Sequence, residues 1–143
     1  MQEDNDNVIY HIVLLEDFLR LTNHDQYIPS GFEKDGFIHC TLGPELTLLV
    51  LEDYFMNEQH PILLLQLDRH KITSELKLEK PSSGADTGKK HRIPGALFPH
   101  IYGPLNLSAI TGVAQIQKQN NSFCWPGSFE SLDLFLKNNQ LHL

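Results

Sequence analysis

Phe98-Pro99-His100-Ile101-Tyr102-Gly103-Pro104-Leu105 joins an imidazole, a phenol and two backbone-restricting residues within eight positions. In an extended strand, Phe98, His100 and Tyr102 project to the same side. Gly103-Pro104 then ends the strand, because proline fixes its own backbone and restricts the residue before it. A histidine and a tyrosine on one face, just before a turn, suit a small-molecule pocket. The alternative is a half-buried pair whose polar groups bond to nearby backbone.

The pattern of apolar residues on either side of this segment predicts an α+β domain. Apolar residues on both faces of 8–13 and a nearly unbroken apolar run over 62–67 indicate buried strands. Further strands are predicted over 36–41, 75–79 and 110–117, and helices over 15–21, 44–57 and 128–137. Strands and helices do not alternate as they would in a doubly wound parallel sheet. We therefore expect a mixed or mainly antiparallel sheet with flanking helices in a single domain.

Three local features refine these elements. Ser128 is expected to cap the last helix through its hydroxyl group. Within 75–79, the alternation of residues directs the two leucines inward and Glu79 outward, onto a charged and solvated face. The segment 81–94 is rich in Ser, Gly, Lys and Pro, and we expect it to be a mobile loop that could close over a ligand.

The composition limits the classes of function. The 143 residues carry a formal net charge of −7, which argues against non-specific nucleic-acid binding. No apolar run is long enough to span a bilayer, and the N-terminus lacks the layout of a secretory signal. Cys40 and Cys124 do not have the spacing of metal ligands, and Cys40 lies in an apolar run that indicates a buried reduced thiol. We expect a cytoplasmic protein without a membrane partner.

Three of the eight histidines, His11, His39 and His100, lie in predicted strands between apolar neighbours. Two of them are followed at the second position by a hydroxyl side chain, Thr41 or Tyr102. A buried polar side chain needs a hydrogen-bond partner, and a bound ligand can supply one. The pattern predicts that the three imidazoles line one cleft. The alternative is that each imidazole is bonded within the core.

Several sequence blocks resemble the family known as domain of unknown function 952 (DUF952). They are Tyr10-His11, Asp35-Gly36-Phe37-Ile38-His39-Cys40-Thr41 and the segment 98–105, and Glu79 matches as well. The resemblance runs from about residue 8 to residue 117. It implies an ADP-ribosyltransferase-like fold, in which a split sheet surrounds a cleft for a nicotinamide dinucleotide. The expected organisation is a domain over 8–118 and an extension over 119–143 whose helix packs on the same domain.

The resemblance also implies roles for individual residues. His11 would bond a ribose hydroxyl of NAD, and His39 or Tyr102 would stack on the nicotinamide. His100 would serve as an acid or a base, since an imidazole titrates near neutral pH. Glu79 would stabilise the oxocarbenium-like transition state. Catalysis is accordingly expected from His39, His100 and Tyr102, and contacts with the NAD cofactor from Tyr10, His11, Gly36, Thr41, Glu79 and Arg92.

These roles predict an NAD-using transferase or glycohydrolase, and three other functions stay open. A catalytically silent module would bind a nucleotide or another small molecule without turnover. Three histidine ligands with an open position would suit a zinc hydrolase, but the spacing of the histidines does not favour a metal. A purely structural role would leave the histidines bonded to carbonyl groups of the core.

Overall fold

The structure is a computed structural model that describes residues 7–81 and 95–139 of the chain. Its strands are β1 (Val8–Leu14), β2 (Thr22–Asn23), β3 (Gln26–Tyr27), β4 (Ile38–His39), β5 (Ile62–Asp68), β6 (Glu75–Glu79), β7 (Phe98–Tyr102), β8 (Leu105–Asn106), β9 (Ile110–Gln115), β10 (Gln117–Gln119) and β11 (Ser122–Cys124). Its helices are α1 (Leu15–Leu21), α2 (Phe32–Asp35), α3 (Pro44–Tyr54) and α4 (Leu132–Asn138). Over these residues, no helix has the length and apolar character needed to cross a membrane.

The central sheet has β5 between β1 and β9, and both pairings are antiparallel. One face of this sheet, which includes Ile9 and Leu65, packs into the main core of the molecule. The opposite face contributes to a second cluster, whose buried members are Tyr10, Leu51, Ile62, Leu64 and Ile116. Because both faces are covered, β5 needs apolar residues at successive positions, as the run over 62–67 indicated.

A second sheet has β7 between β4 and β6, again with antiparallel pairing. In its register, His100 lies opposite His39 on one side and opposite Lys77 on the other. The two sheets meet at one isolated bridge, where Tyr10 and Thr41 exchange backbone hydrogen bonds of 3.0 and 2.8 Å. The predicted strand over 36–41 is shorter in the structure, because only β4 within it pairs regularly with β7.

The segment 22–35, for which the sequence predicts no element, contains α2 and two strands of a small sheet ordered β2-β3-β8. Each of these strands has two residues, so none is long enough to show an alternating pattern. Tyr27 in β3 is fully buried, and its ring centroid lies 5.4 Å from that of Phe18 in α1. The small sheet is therefore tied to the main core by an aromatic contact.

The three predicted helices are present, and two of them differ from the prediction at one end. α1 and α3 occupy the predicted segments, although α3 ends at Tyr54. The prediction that Ser128 caps the last helix is wrong, because α4 begins at Leu132 and the Ser131 hydroxyl accepts the N–H of Leu134 at 3.1 Å. The ring centroid of Phe135 in α4 lies 6.0 Å from that of Phe18, so α4 packs on the main core.

The α+β class with mostly antiparallel sheets is confirmed, and the main core joins strands of both large sheets to α4 in a single domain. Cys40 and Cys124 are both free thiols, and Cys40 is buried as predicted. Most of the loop predicted over 81–94 lies outside the described residues.

Candidate functional site

Alternate residues of the second sheet present a polar surface. Its members are Phe37, which directly precedes β4, His39 of β4, Glu79 of β6, and His100 and Tyr102 of β7. We call these five side chains the histidine face. On the opposite side of the sheet, Ile38 and Ile101 belong to the main core and Leu76 packs against it, whereas Leu78 is 37 % exposed. The period of two along each strand thus separates the polar surface from the core.

Glu79 is held on the histidine face by two hydrogen bonds to one oxygen. The Tyr102 hydroxyl donates to Glu79 Oε1 at 2.5 Å, and His100 Nδ1 donates to the same atom at 2.8 Å. An ionised carboxylate only accepts, so Nδ1 of His100 carries a proton, and in the neutral form of the ring the lone pair is on Nε2. The expected outward direction of Glu79 is confirmed, since its side chain points away from the core and is 35 % exposed. The hydrogen bonds to β7 were not expected from the alternation.

These contacts also set the protonation of Glu79 and Tyr102. The hydrogen bonds from Tyr102 and then from His100 lower the pKa of the Glu79 carboxyl below its usual range. The hydrogen bond to Glu79, followed by desolvation, raises the pKa of the Tyr102 hydroxyl. At neutral pH the pair is therefore a carboxylate anion and a neutral phenol. The histidine face holds a negative charge at a fixed position.

His39 forms a second pair with a carboxylate. Its Nε2 lies 2.8 Å from Oδ2 of Asp35, the last residue of α2. The side chain of His39 is 52 % exposed, whereas that of His100 is 4 % exposed. The two ring centroids are 5.7 Å apart. A ligand can therefore meet the ring of His39 directly from solvent, while His100 is largely covered by its neighbours.

Phe37 is the aromatic centre of the histidine face. Its ring stacks on His100 with the centroids 3.9 Å apart, and its centroid lies 4.7 Å from His39 and 5.4 Å from Tyr102. On the other side of Tyr102, the Lys77 ammonium lies 5.0 Å from the ring centroid. The arrangement is a set of aromatic rings with a fixed carboxylate and an ammonium group at its edge.

The structure does not bring His11 to the histidine face. Its side chain is buried, Nδ1 donates to the backbone carbonyl of His39 at 2.7 Å, and Nε2 accepts from the Tyr27 hydroxyl at 3.0 Å. Desolvation lowers the pKa of His11 to about 4, so its ring is neutral at neutral pH. Of the three histidines expected to line one cleft, two share a surface and the third is bonded inside the core.

The other predicted cofactor contacts are spread over the molecule. The ring of Tyr10 lies in the second cluster, 5.0 Å from that of Trp125. The Thr41 hydroxyl is buried and pairs with a second threonine hydroxyl at 2.5 Å. Gly36 adopts a left-handed φ of 84° at the end of α2, directly before the histidine face. Arg92 lies outside the described residues.

Asp35, Phe37 and Lys77 were not among the predicted site residues, although the sequence carried a signal for one of them. Phe37 and His39 are two residues apart, and this spacing places their side chains on the same side of the predicted strand. Asp35 meets His39 because only Gly36 and Phe37 separate α2 from β4. Lys77 reaches Tyr102 only through the register of β6 against β7, which no local pattern reveals.

A separate groove of about 440 Å³ shares no residue with the histidine face; it is lined by Asp25, Gln26, Thr73, Ser74, Pro104 and Asn106. Several of its polar groups bond one another, as when the Ser74 hydroxyl donates to the Pro104 carbonyl at 2.7 Å. Among the residues of 7–81 and 95–139, no three His, Cys, Asp or Glu side chains are grouped so as to hold a metal ion. The histidine face is therefore the candidate site.

Comparison with solved structures shows the same fold in protein CC0527 from Caulobacter crescentus. The two sequences are 22 % identical, the match covers 92 % of this chain and 96 % of that one, and the TM-score is 0.64. A double mutant of the same bacterial protein matches with a TM-score of 0.63. No curated protein matches the chain. At this level of identity, the similarity establishes the fold alone.

A family model described as a protein of unknown function, DUF952, matches residues 12–113. The matched segment covers more than half of the chain and contains the whole histidine face. The resemblance seen in the sequence blocks is thus confirmed at the level of the family. The chain belongs to the DUF952 family.

Proposed function

We propose that the histidine face binds NAD and that the protein transfers or hydrolyses the ADP-ribosyl group, as an NAD-using transferase or glycohydrolase. The observation that carries this proposal is the Glu79 carboxylate, which Tyr102 and His100 hold beside a partly exposed aromatic surface. The resemblance of the sequence blocks to the DUF952 family, which implies an ADP-ribosyltransferase-like fold, points to the same class of ligand.

The fixed carboxylate suits the charge that develops in such a reaction. When the bond between ribose C1 and the nicotinamide nitrogen breaks, positive charge builds up on the ribose. An anion that is already oriented stabilises this charge without reorganisation in the transition state. Two hydrogen bonds fix Oε1 of Glu79, and they also keep its carboxyl ionised by lowering its pKa.

The aromatic rings suit the planar base of the ligand. His39 is exposed, Tyr102 is half-buried, and Phe37 lies between them. A planar heterocycle can stack on such rings, and the positive nicotinamide of NAD is attracted to their faces. Asp35 and Glu79 are acidic and attract a cation, and the Lys77 ammonium at the edge of the surface opposes this attraction.

His100 can accept the proton that the hydrolysis reaction releases. For hydrolysis, water attacks ribose C1 as the C1–N bond breaks, and the electron pair of that bond leaves with neutral nicotinamide. The proton of the water passes to Nε2 of His100, the nitrogen that the bond to Glu79 leaves with a lone pair. In a transferase, an acceptor nucleophile takes the place of water.

Calorimetric titration with NAD and a nicotinamide-release assay on the full chain test the proposal. We expect saturable binding to the wild-type protein and its loss in His39→Ala, which removes the exposed ring. Glu79→Gln keeps an acceptor oxygen and removes the charge. We expect this variant to bind NAD and to release nicotinamide about 10²- to 10³-fold more slowly, the range seen when one preorganised stabilising group is lost.

Glu58→Gln is the matched control, because Glu58 Oε2 pairs with His60 Nδ1 at 2.8 Å on the surface, outside the histidine face. It should bind NAD and release nicotinamide like the wild type. Equal rates for Glu79→Gln and wild type would contradict the role of the carboxylate. Absence of NAD binding by the folded wild-type protein would contradict the proposal as a whole.

A catalytically silent binding module is the second candidate, and one observation favours it. The His100 side chain is 4 % exposed and its ring is covered by Phe37 at a centroid distance of 3.9 Å, an environment that suits a structural ring. This alternative predicts saturable binding of NAD or another nucleotide without release of nicotinamide. Measurable release by the wild-type protein would exclude it.

A further inference from the structure

We infer that His11 is a positioning residue: its imidazole holds the backbone of His39 from inside the core, so that the His39 ring is presented on the histidine face. His11 does not contact the ligand. The inference goes beyond the proposed function, because it holds for any ligand that meets His39. It also differs from the ribose contact that the sequence resemblance implies for His11.

Both ring nitrogens of His11 are already used within the protein. The backbone carbonyl of His39 can only accept, so the proton of the His11 ring is on Nδ1, 2.7 Å from that oxygen. In the neutral ring Nε2 is then an acceptor, and the Tyr27 hydroxyl donates to it at 3.0 Å. Tyr27 is fully buried and His11 is 6 % exposed. No donor or acceptor of the ring remains for a ligand.

The bond from His11 replaces a backbone bond where the two sheets separate. β1 pairs with this part of the chain only at the bridge between Tyr10 and Thr41. In an uninterrupted antiparallel ladder, the His39 carbonyl would next accept from the backbone N–H of Ile12. The bridge is isolated, and the imidazole of His11 donates to that carbonyl instead.

The replacement matters because few other bonds fix this short strand. β4 has two residues, and Cys40 N–H donates to the Pro99 carbonyl at 3.0 Å. Pro99 has no N–H to donate in return, so this pair forms one hydrogen bond where an antiparallel pair usually forms two. Asp35 orients the ring of His39, and His11 anchors its peptide group.

The test follows the ring of His39 by NMR in three variants. His11→Leu removes the donor, and we expect the His39 Cε1–H and Cδ2–H signals to shift or broaden. His11→Asn presents an amide N–H at about the place of Nδ1, and we expect it to restore the wild-type signals. Tyr27→Phe removes the partner of Nε2 only and should leave the His39 signals unchanged. A role of His11 in stability alone would not produce this pattern.

Unchanged His39 signals in folded His11→Leu would overturn the inference.

A second measurement uses the wild-type protein. The ¹⁵N shifts of the His11 ring should show a protonated Nδ1 and an unprotonated Nε2 at neutral pH. The opposite tautomer would overturn the inference. Titration of the wild-type protein with NAD adds a third outcome. Ligand-induced shifts at His11 without shifts at His39 would assign His11 to ligand contact and reject the positioning role.

Discussion

Thr22 and Thr47 are both buried, but their hydroxyl groups differ in hydrogen bonding. Thr47 Oγ1 donates to the Gly43 carbonyl at 2.7 Å and accepts from the Thr41 hydroxyl at 2.5 Å. Thr22 Oγ1 has no hydrogen-bond partner among the residues that the structure describes. An unpaired buried hydroxyl costs free energy that a paired one does not. The difference makes the two residues a matched pair for mutation.

We predict that Thr22→Val leaves the free energy of unfolding unchanged or raises it by up to about 1 kcal/mol, because valine has the same shape and no unpaired hydroxyl. Thr47→Val should lower it by about 1–3 kcal/mol, since it removes two hydrogen bonds and leaves the buried Thr41 hydroxyl without its partner. Urea unfolding at neutral pH measures both. A clear loss of stability in Thr22→Val would show that its hydroxyl is paired, for example with an internal water molecule.

At the scale of the element, the histidine face depends on the register of β6 against β7. The alternation of polar residues was predicted correctly, since β6 and β7 both place them on one side, but Leu78, which was expected inward, is 37 % exposed. The pattern of one strand does not show which residues of the neighbouring strand lie opposite its own. Glu79 lies opposite Phe98, on the same side of the sheet as His100 and Tyr102. Its carboxylate and the two side chains of β7 meet along this surface, which turns an outward carboxylate into a hydrogen-bonded one.

The same limit explains which strands the sequence revealed. β1 and β5 have seven residues each and are covered on both sides, so their apolar runs predict them. β2, β3 and β8 have two residues each, too few to show a pattern; β2 and β3 form a short local hairpin, and β8, the other partner of β3, lies far along the chain. His11 was predicted beside a ligand because its strand pattern does not distinguish a core position from a cleft.

The N-terminus of α4 gives a prediction at this scale. The Ser131 hydroxyl accepts the N–H of Leu134 at 3.1 Å, whereas Ser128 is exposed three residues earlier. Ser131→Ala should lower the free energy of unfolding by about 1 kcal/mol, because it leaves a backbone donor of the first turn uncapped. Ser128→Ala should change it by less than about 0.5 kcal/mol. Thermal and urea unfolding measure both, and equal effects would contradict the assigned cap.

At the scale of the whole molecule, the central sheet divides the interior into the main core and the second cluster. His11 lies on the main-core side of β1, beside Tyr27 with the ring centroids 5.5 Å apart. Its imidazole therefore connects three parts of the fold: the central sheet, the small sheet at β3, and the second sheet at β4. A change in the charge of this ring acts on the stability of the whole domain.

We predict that this connection makes stability fall as the pH is lowered below about 6.5. Desolvation lowers the pKa of His11 from 6.5 to about 4 in the folded protein. Between these values the unfolded chain binds a proton that the folded chain does not, so the free energy of unfolding rises with pH in this window. The contribution is fully present above pH 6.5 and is lost progressively towards pH 4. At about 1.4 kcal/mol for each unit of pKa difference, the loss is of the order of 3 kcal/mol.

His11→Asn isolates this contribution, because its amide can donate to the His39 carbonyl and does not titrate. Urea unfolding of both proteins between pH 4 and pH 7.5 should give a smaller slope of stability against pH for the variant, with the two curves parallel above pH 6.5. Carboxylates such as Glu79, whose pKa is lowered in the fold, also lose stabilising charge as the pH falls, but they do so equally in both proteins. The difference between the two curves therefore belongs to His11. Parallel curves over the whole range would mean that the ring can be protonated in the folded protein, and hence that it has access to solvent or to a ligand.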